Sequence, residues 1–487
     1  MNRQWARELT RFSSKVYGLK QMVKRANDER QHPTIKSATI FVVMLFFFLY
    51  RGRSMEELDR QVHKGRYRHL IPKNERQPSH DTARNALMQW DLESHEDSQD
   101  QFVSKFKQNE GPQKGSIDGW RVAAIDGVEL FASTSRRCEE CLTRHPTNGD
   151  IEYFHRAVFM QKVGGDPRTI YGFELLTPRD GANKDEGETT GAKRLIQNVA
   201  ARHGRVADVL TLDALYAKAP IIHEVLDHSL DAVIRMKEER RLIMQDAKGL
   251  FDGRDADAEW DERDSKGHPV HVQAWDEGEL TSWEQVRIPM RMIKIVRTID
   301  KTAITGGEKQ TQVEVLERWV ATTFKQTAVP TVTVAKIAAA RWDIENQGFH
   351  DLKTYWHMDH ALVHHPRAIE ALLGFLILAV NFLYTFLFGH LHHFRNWGIP
   401  VCEVVEEIKE QIRWFTPLAV VSALGHPLTA TKNDRLGSFH RGESGLTMRK
   451  KSNRNKMCRN IAGDSLRLTD VLDTGSNWKI DAWVLVF

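Results

Sequence analysis

The pattern of apolar and polar positions changes period near residue 120. Up to about residue 100 the apolar residues recur at helical spacing, and SMEELDRQV and SHDTARNALMQWDLE each offer Ser or Asp near a helix start. From residue 121 onward RVAAID, EYFHRAVFMQKV and RTIYGFEL read as β-rich segments separated by turn-forming residues. A helical stretch (191–203), a short apolar strand ending in aspartate (VLTLD), a helix (218–228) and a further strand (DAVIRM) follow. Residues 237–325 hold an acidic polar run and then alternating segments such as VRIPMRMIKIVRTI and EVLERWVATTF. A β-rich insertion is expected there. After it comes RWDIENQGFHDLK, residues 341–353, which places Arg341, Glu345 and Phe349 on one helix face. An isolated R-x-x-x-E reads as a surface salt bridge, so its meaning depends on context.

The order β-β-β-α-β-α-β is that of a ribonuclease-H-like fold, an α/β architecture with a central mixed sheet and flanking helices. Four regions are expected. Residues 1–100 form a helical, basic N-terminal domain, which becomes a DNA-binding domain under the resemblance given below. Residues 118–237 and 326–395 form the ribonuclease-H-like domain, which that resemblance makes catalytic, residues 238–325 the β-rich insertion, and residues 396–487 a C-terminal region. Residues 91–100 are acidic and polar, and residues 111–119 contain Gly and Pro without periodicity, so a linker is expected to end near Asp118. The C-terminal region offers one amphipathic helix (EVVEEIKEQIRWF), a basic stretch (435–459) and a final WKIDAWVLVF that suits an edge strand or hydrophobic packing.

Two apolar runs bear on a membrane. Residues 40–50 (IFVVMLFFFLY) are too short to span a bilayer and read as a buried helix. Residues 371–389 are long enough, but Asn381 interrupts them and no second comparable span accompanies them, so a helix buried in a large core is expected, with a membrane anchor as the rival. With 487 residues, 41% hydrophobic and 28% charged, the chain suits two or three globular domains. A formal net charge of +4 hides an asymmetry: residues 1–76 carry 17 Lys and Arg against 7 Asp and Glu. That region is a candidate polyanion-binding surface. Four cysteines make no disulfide framework, and Cys402 and Cys458 suggest nothing specific. With no stretch resembling a signal peptide at the N-terminus, a reducing, cytoplasmic and nucleoid-associated setting is expected.

Two strands end in aspartate: Asp126 after the first and Asp213 after the fourth. Side chains at the ends of neighbouring strands in an open α/β sheet converge on a crevice. Read alone, Asp126 before Gly127 can simply begin a turn, and Asp213 can cap the helix after it. Together with Glu345, and with an insertion between the second and third, they resemble the DDE triad of bacterial insertion-sequence transposases. The third segment resembles the Tyr/Arg/Glu/Lys signature of one branch of that family, carried here by Arg341, Trp342, Ile344, Glu345, Phe349 and Lys353. The segments AAIDGVELFAS and TLDALYAKAP are similar to the family's surroundings of the two aspartates.

The resemblance implies a metal-dependent enzyme that cuts DNA at element ends and joins the freed 3′-OH to target DNA. Asp126, Asp213 and Glu345 would hold two Mg²⁺ or Mn²⁺ ions, Asp126 bridging both. Arg341 and Lys353 would bind phosphates beside the scissile bond. Trp319 resembles the tryptophan that stacks on a flipped base in hairpin-forming members, a core tryptophan being the alternative. Double-stranded DNA as partner, a homodimer holding two ends and no membrane are implied. A catalytically inactive, transposase-derived DNA-binding protein is the rival.

Two departures stand out. The signature tyrosine is replaced by Ala338, and the lysine comes eight rather than seven residues after Glu345. Seven α-helical steps return to within about 20° of the Glu direction, whereas eight overshoot by about 80°. A one-residue π-bulge near Gly348 would restore the register. Separately, Cys138 and Cys141 form a Cys-x-x-Cys pair followed by His145 and His155, half of a possible zinc site or two free thiols. His357, His360, His364 and His365 cluster after the central helix, where they can bind metal or line a helix end.

Overall fold

The computed structural model describes residues 4–147, 149–178, 185–264, 266–305 and 308–412. The expected basic stretch at 435–459, Cys458 and the final WKIDAWVLVF lie outside them. Ten strands form one sheet: β1 (Val122–Ser133), β2 (Leu142–Arg144), β3 (Glu152–Lys162), β4 (Ile170–Leu175), β5 (Val209–Leu212), β6 (Asp231–Met236), β7 (Ala258–Arg263), β8 (Pro269–Leu280), β9 (Met290–Thr305) and β10 (Glu308–Thr322). The order is β2-β3-β1-β5-β6-β10-β9-β8-β7, with β4 also pairing β3. β1, β5 and β6 run parallel, and the other pairs are antiparallel.

β5, β6 and the first four residues of β1 are largely apolar and buried apart from positions near the ends of β6, as sheet centres covered on both faces must be. The helices Glu188–His203 and Ala219–Asp227 make the crossovers between them. The insertion is indeed rich in strands, but it does not stand apart. It leaves after β6, forms the helix Leu242–Phe251 and the β7–β9 meander, and returns as β10 hydrogen-bonded to β6. Part of the acidic run is the edge strand β7.

Both apolar runs are helices inside the protein. Every residue from Thr39 to Leu49 of the helix Ser37–Leu49 is buried. The segment Pro366–His390 is long and apolar enough to cross a membrane, yet 89% of its most apolar window is buried in the protein. Its Asn381 is satisfied there: the amide donates to the Ile170 carbonyl at 2.9 Å and accepts from the Ile170 N–H at 3.0 Å. An edge-strand backbone that would otherwise be orphaned is thereby paired.

The N-terminal helices share this core. The helix Pro366–Tyr384 packs on Ser37–Leu49 and on Leu92–Gln108, while Trp5–Val16 packs on Val401–Ile412. Residues 91–100, read as linker, are instead the capped start of the helix Leu92–Gln108, with the Asp91 side chain accepting from Ser94 N–H. That helix also docks on Glu188–His203, where Arg202 reaches Asp100 at 2.6 Å and also pairs with Glu96.

Candidate active site

β1 and β5 are in parallel register with Ile125 opposite Leu212. The next residue on each chain is an aspartate, so Asp126 and Asp213 emerge side by side where the pairing ends. Glu345 arrives from the segment after the insertion. All three carboxylates face one guanidinium. Arg341 Nη1 lies 2.6 Å from Glu345 Oε1 and 3.4 Å from Asp126 Oδ2, and its Nε lies 3.9 Å from Asp213 Oδ1. The Arg341 side chain is only 2% exposed. It therefore sits inside the carboxylate cluster, and its pairing with Glu345 is buried rather than the surface salt bridge that an isolated R-x-x-x-E suggests.

The electrostatics follow from this crowding. Burial, then the neighbouring Glu345 carboxylate, push Asp126 up to about 8, against the pull of Arg341 and the Gly127 N–H. Asp213 Oδ2 meets Lys237 Nζ at 3.3 Å, but its Oδ1 is buried without a hydrogen-bond partner, as is the facing Arg341 Nε. Three convergent carboxylates, one with an orphaned oxygen, are the donor set that a hard cation such as Mg²⁺ or Mn²⁺ requires.

The segment carrying Glu345 is not a regular α-helix. Ile344–Phe349 is π-helical, and the His350 N–H donates to the Glu345 carbonyl five residues back. The extra residue is absorbed here, as the spacing of Lys353 required. Gly348 lies in this turn against β3: a Cβ at that position would stand 2.4 Å from Gln161 Oε1. Lys353 follows on the short helix His350–Thr354, half-buried and without an ion pair among the described residues.

Arg235, Arg318 and Glu188 were not singled out from sequence, although Trp342 was. Trp342 is covered by cations, with the Arg341, Arg235 and Arg318 guanidinium carbons 4.4, 5.7 and 6.0 Å from its ring centre. Neither Arg235 nor Arg318 has a carboxylate partner among the described residues. Burial, then Arg297, Arg235 and Arg341, lower Arg318 to about 10. Arg318 also lines a cleft of about 540 Å³ together with Ala338, with Arg297 and Lys336, and with the acidic Glu262, Asp118 and Asp343, so the position lacking tyrosine opens onto a hollow of mixed charge. A fourth carboxylate, Glu188, lies over Gly127, bonded to Arg156 at 2.9 Å and to Tyr216 at 3.3 Å.

Trp319 lies apart from this cluster. Strand alternation turns it to the sheet face opposite Arg318, where it stacks on Phe251 at 5.7 Å and is 8% exposed. The ring is packed in this conformation and presents no open face to a base. Of the four possible zinc ligands, Cys138, Cys141 and His155 come together, whereas His145 is exposed and outside the group.

Residues 170–382 match the family model described as a transposase DDE domain. This stretch contains Asp213 and Glu345, begins after Asp126, and amounts to less than half of the chain. Among solved structures, a piggyBac transposase synaptic complex with hairpin DNA is similar over 88% of this chain and 80% of that chain, at 10% identity and a TM-score of 0.41, a likeness too distant to argue from. No curated protein matches.

Proposed function

We propose that the protein is a DDE transposase that cleaves DNA at the ends of an insertion element and joins the freed 3′-OH to target DNA. The observation that carries this reading is the convergence of Asp126, Asp213 and Glu345 from two strand ends and a helical turn. The match of residues 170–382 to a transposase DDE domain supports it. The order β4-β3-β1-β5-β6, antiparallel and then parallel, supports a ribonuclease-H-like fold, extended here by the inserted strands.

Asp126, Asp213 and Glu345 would hold two Mg²⁺ or Mn²⁺ ions, which when bound activate a hydroxyl nucleophile and neutralise charge on the departing oxygen. For the ions to enter, Arg341 must withdraw from the carboxylates. Its guanidinium then becomes free for a phosphate oxygen beside the scissile bond. Arg235 and Arg318, cationic and without carboxylate partners, are placed to take neighbouring phosphates, and Lys353 supplies a further point charge. The basic N-terminal helices would recognise the element ends, and a homodimer would hold two ends together in a cytoplasmic, nucleoid-associated complex. Affinity resting on phosphate contacts falls steeply with salt.

The test is excision of a DNA segment bounded by the element's own flanking ends. Wild-type protein with Mg²⁺ or Mn²⁺ is expected to excise it, and Glu345→Gln to lose at least a hundredfold of the activity while still binding DNA. A second reading, an inactive DNA-binding derivative, draws on Ala338 and on the guanidinium filling the triad. End binding by the wild type without any cleavage in either metal would establish that reading and end the first.

A further inference from the structure

The turn after β1 carries a second cluster of ligating groups, remote from the triad along the strand. Cys138 Sγ lies 3.6 Å from Cys141 Sγ and 3.1 Å from His155 Nε2, and Cys141 Sγ lies 3.3 Å from the same nitrogen. A disulfide would need its sulfurs at about 2.05 Å, and both cysteines are free. Around a tetrahedral zinc, with Zn–S about 2.3 Å and Zn–N about 2.0–2.1 Å, the S···S edge is about 3.8 Å and each S···N edge about 3.6 Å. The three observed edges fall a few tenths of an ångström inside those lengths. This is the spacing of donors gathered around one ion position.

The surroundings fit a structural ion. Cys141 and His155 are buried, and the Cys138 N–H donates to Cys141 Sγ at 3.2 Å. His155 is fixed on β3 opposite Phe131 of β1. The Phe131 ring touches two histidines, His155 at 5.3 Å and His364 at 5.7 Å between ring centres. His364 Nδ1 is buried with no hydrogen-bond partner.

We propose that Cys138, Cys141 and His155 bind a structural zinc ion, and that His364, which lies outside the group these three form, moves in to close the fourth corner. Such an ion would tie the tip of the β1–β3 hairpin to the segment that joins the Glu345 turn to the buried helix Pro366–Tyr384. The short loop 134–141, which contributes little to the hydrophobic core, would take its order from the metal. This site does not depend on the reading of the triad, since it is detected by metal content and spectroscopy rather than by DNA cleavage.

The test uses the full-length, untagged protein purified without chelator. About one zinc per chain should survive dialysis, and replacement by Co²⁺ should give the visible bands of a tetrahedral site with a sulfur-to-cobalt charge-transfer band. Cys138→Ser and Cys141→Ser should lose the metal. His364→Ala should surrender zinc to a competing chelator at least tenfold faster than His145→Ala, which should behave as wild type. Wild-type protein with neither zinc nor the cobalt spectrum would overturn the site, even if the cysteine variants fail to fold. Equal retention by His364→Ala and His145→Ala would overturn the fourth ligand.

Discussion

At the scale of single residues the active site is a balance of three carboxylates against one guanidinium. Removing one partner of a buried ion cluster leaves uncompensated charge, at a cost of about 3–5 kcal/mol. Arg341→Ala should therefore lower stability by about that amount in the presence of EDTA, read from urea denaturation. Millimolar Mn²⁺ should restore much of it, because the cation takes over the neutralising role. A variant as stable as wild type in EDTA would show that Arg341 is not what holds the carboxylates together. The two aspartates and Glu345 could be picked out in the sequence because each ends a strand or sits in a distinctive helical segment. Arg235, Arg318 and Glu188 could not. Their meeting with the site depends on the pairing of β6 with β10 and on the close approach of Glu188 to Gly127, neither of which has a local sequence signal.

At the scale of elements, the errors and successes have a common cause. The π-turn was legible because the lysine stands one residue later than in the signature that the segment resembles, an offset that one extra residue in the helix would absorb. The helix Leu92–Gln108 was partly missed because its first turns bury His95 and Ser98 rather than large apolar residues. β7 was not singled out within the β-rich insertion because AEWDER is a largely exposed edge strand in which only Ala258 and Trp260 are less exposed. His95 also sets a pH limit on the packing of these helices. Its ring touches Phe41, Trp90 and Phe375, and a Cβ on Gly374 would stand 2.2 Å from its Nε2. Burial holds it down to about 3, with both ring nitrogens lacking partners. A histidine depressed in the fold adds stability above its unfolded value near 6.5 that is lost as pH falls toward 3. Wild-type stability should therefore fall by up to about 1.4 kcal/mol per pH unit below pH 6 from this group. His95→Leu should flatten that slope in denaturation measured from pH 7 to 4. An unchanged slope would assign the acid sensitivity elsewhere.

For the whole molecule, the N-terminal helices are a structural part of the body that holds the site. Ser37–Leu49 and Leu92–Gln108 cover the helix Pro366–Tyr384, which is buried on every side from Ala371 onward. A chain starting at residue 118 would present that helix to water. It is expected to aggregate or to remain in the insoluble fraction, where the full chain stays soluble at the same expression level. A soluble truncated protein with a cooperative thermal transition would mean that the catalytic body folds without them. The expected division near residue 100 came from a change in periodicity, which marks where helices give way to strands. It carries no information about which helices later return to cover which face.

The path of the chain also imposes an order of events during synthesis. Asp126 and Asp213 leave the ribosome on strands that pair directly, but Glu345 follows 132 residues after Asp213, once the inserted strands have been made. At about 5–20 residues per second this gap lasts roughly 7–26 seconds. Arg341 comes only four residues before Glu345. For that interval the nascent protein carries two adjacent acids without their third member or the guanidinium that faces all three, and the complete constellation exists only after residue 345 has been made.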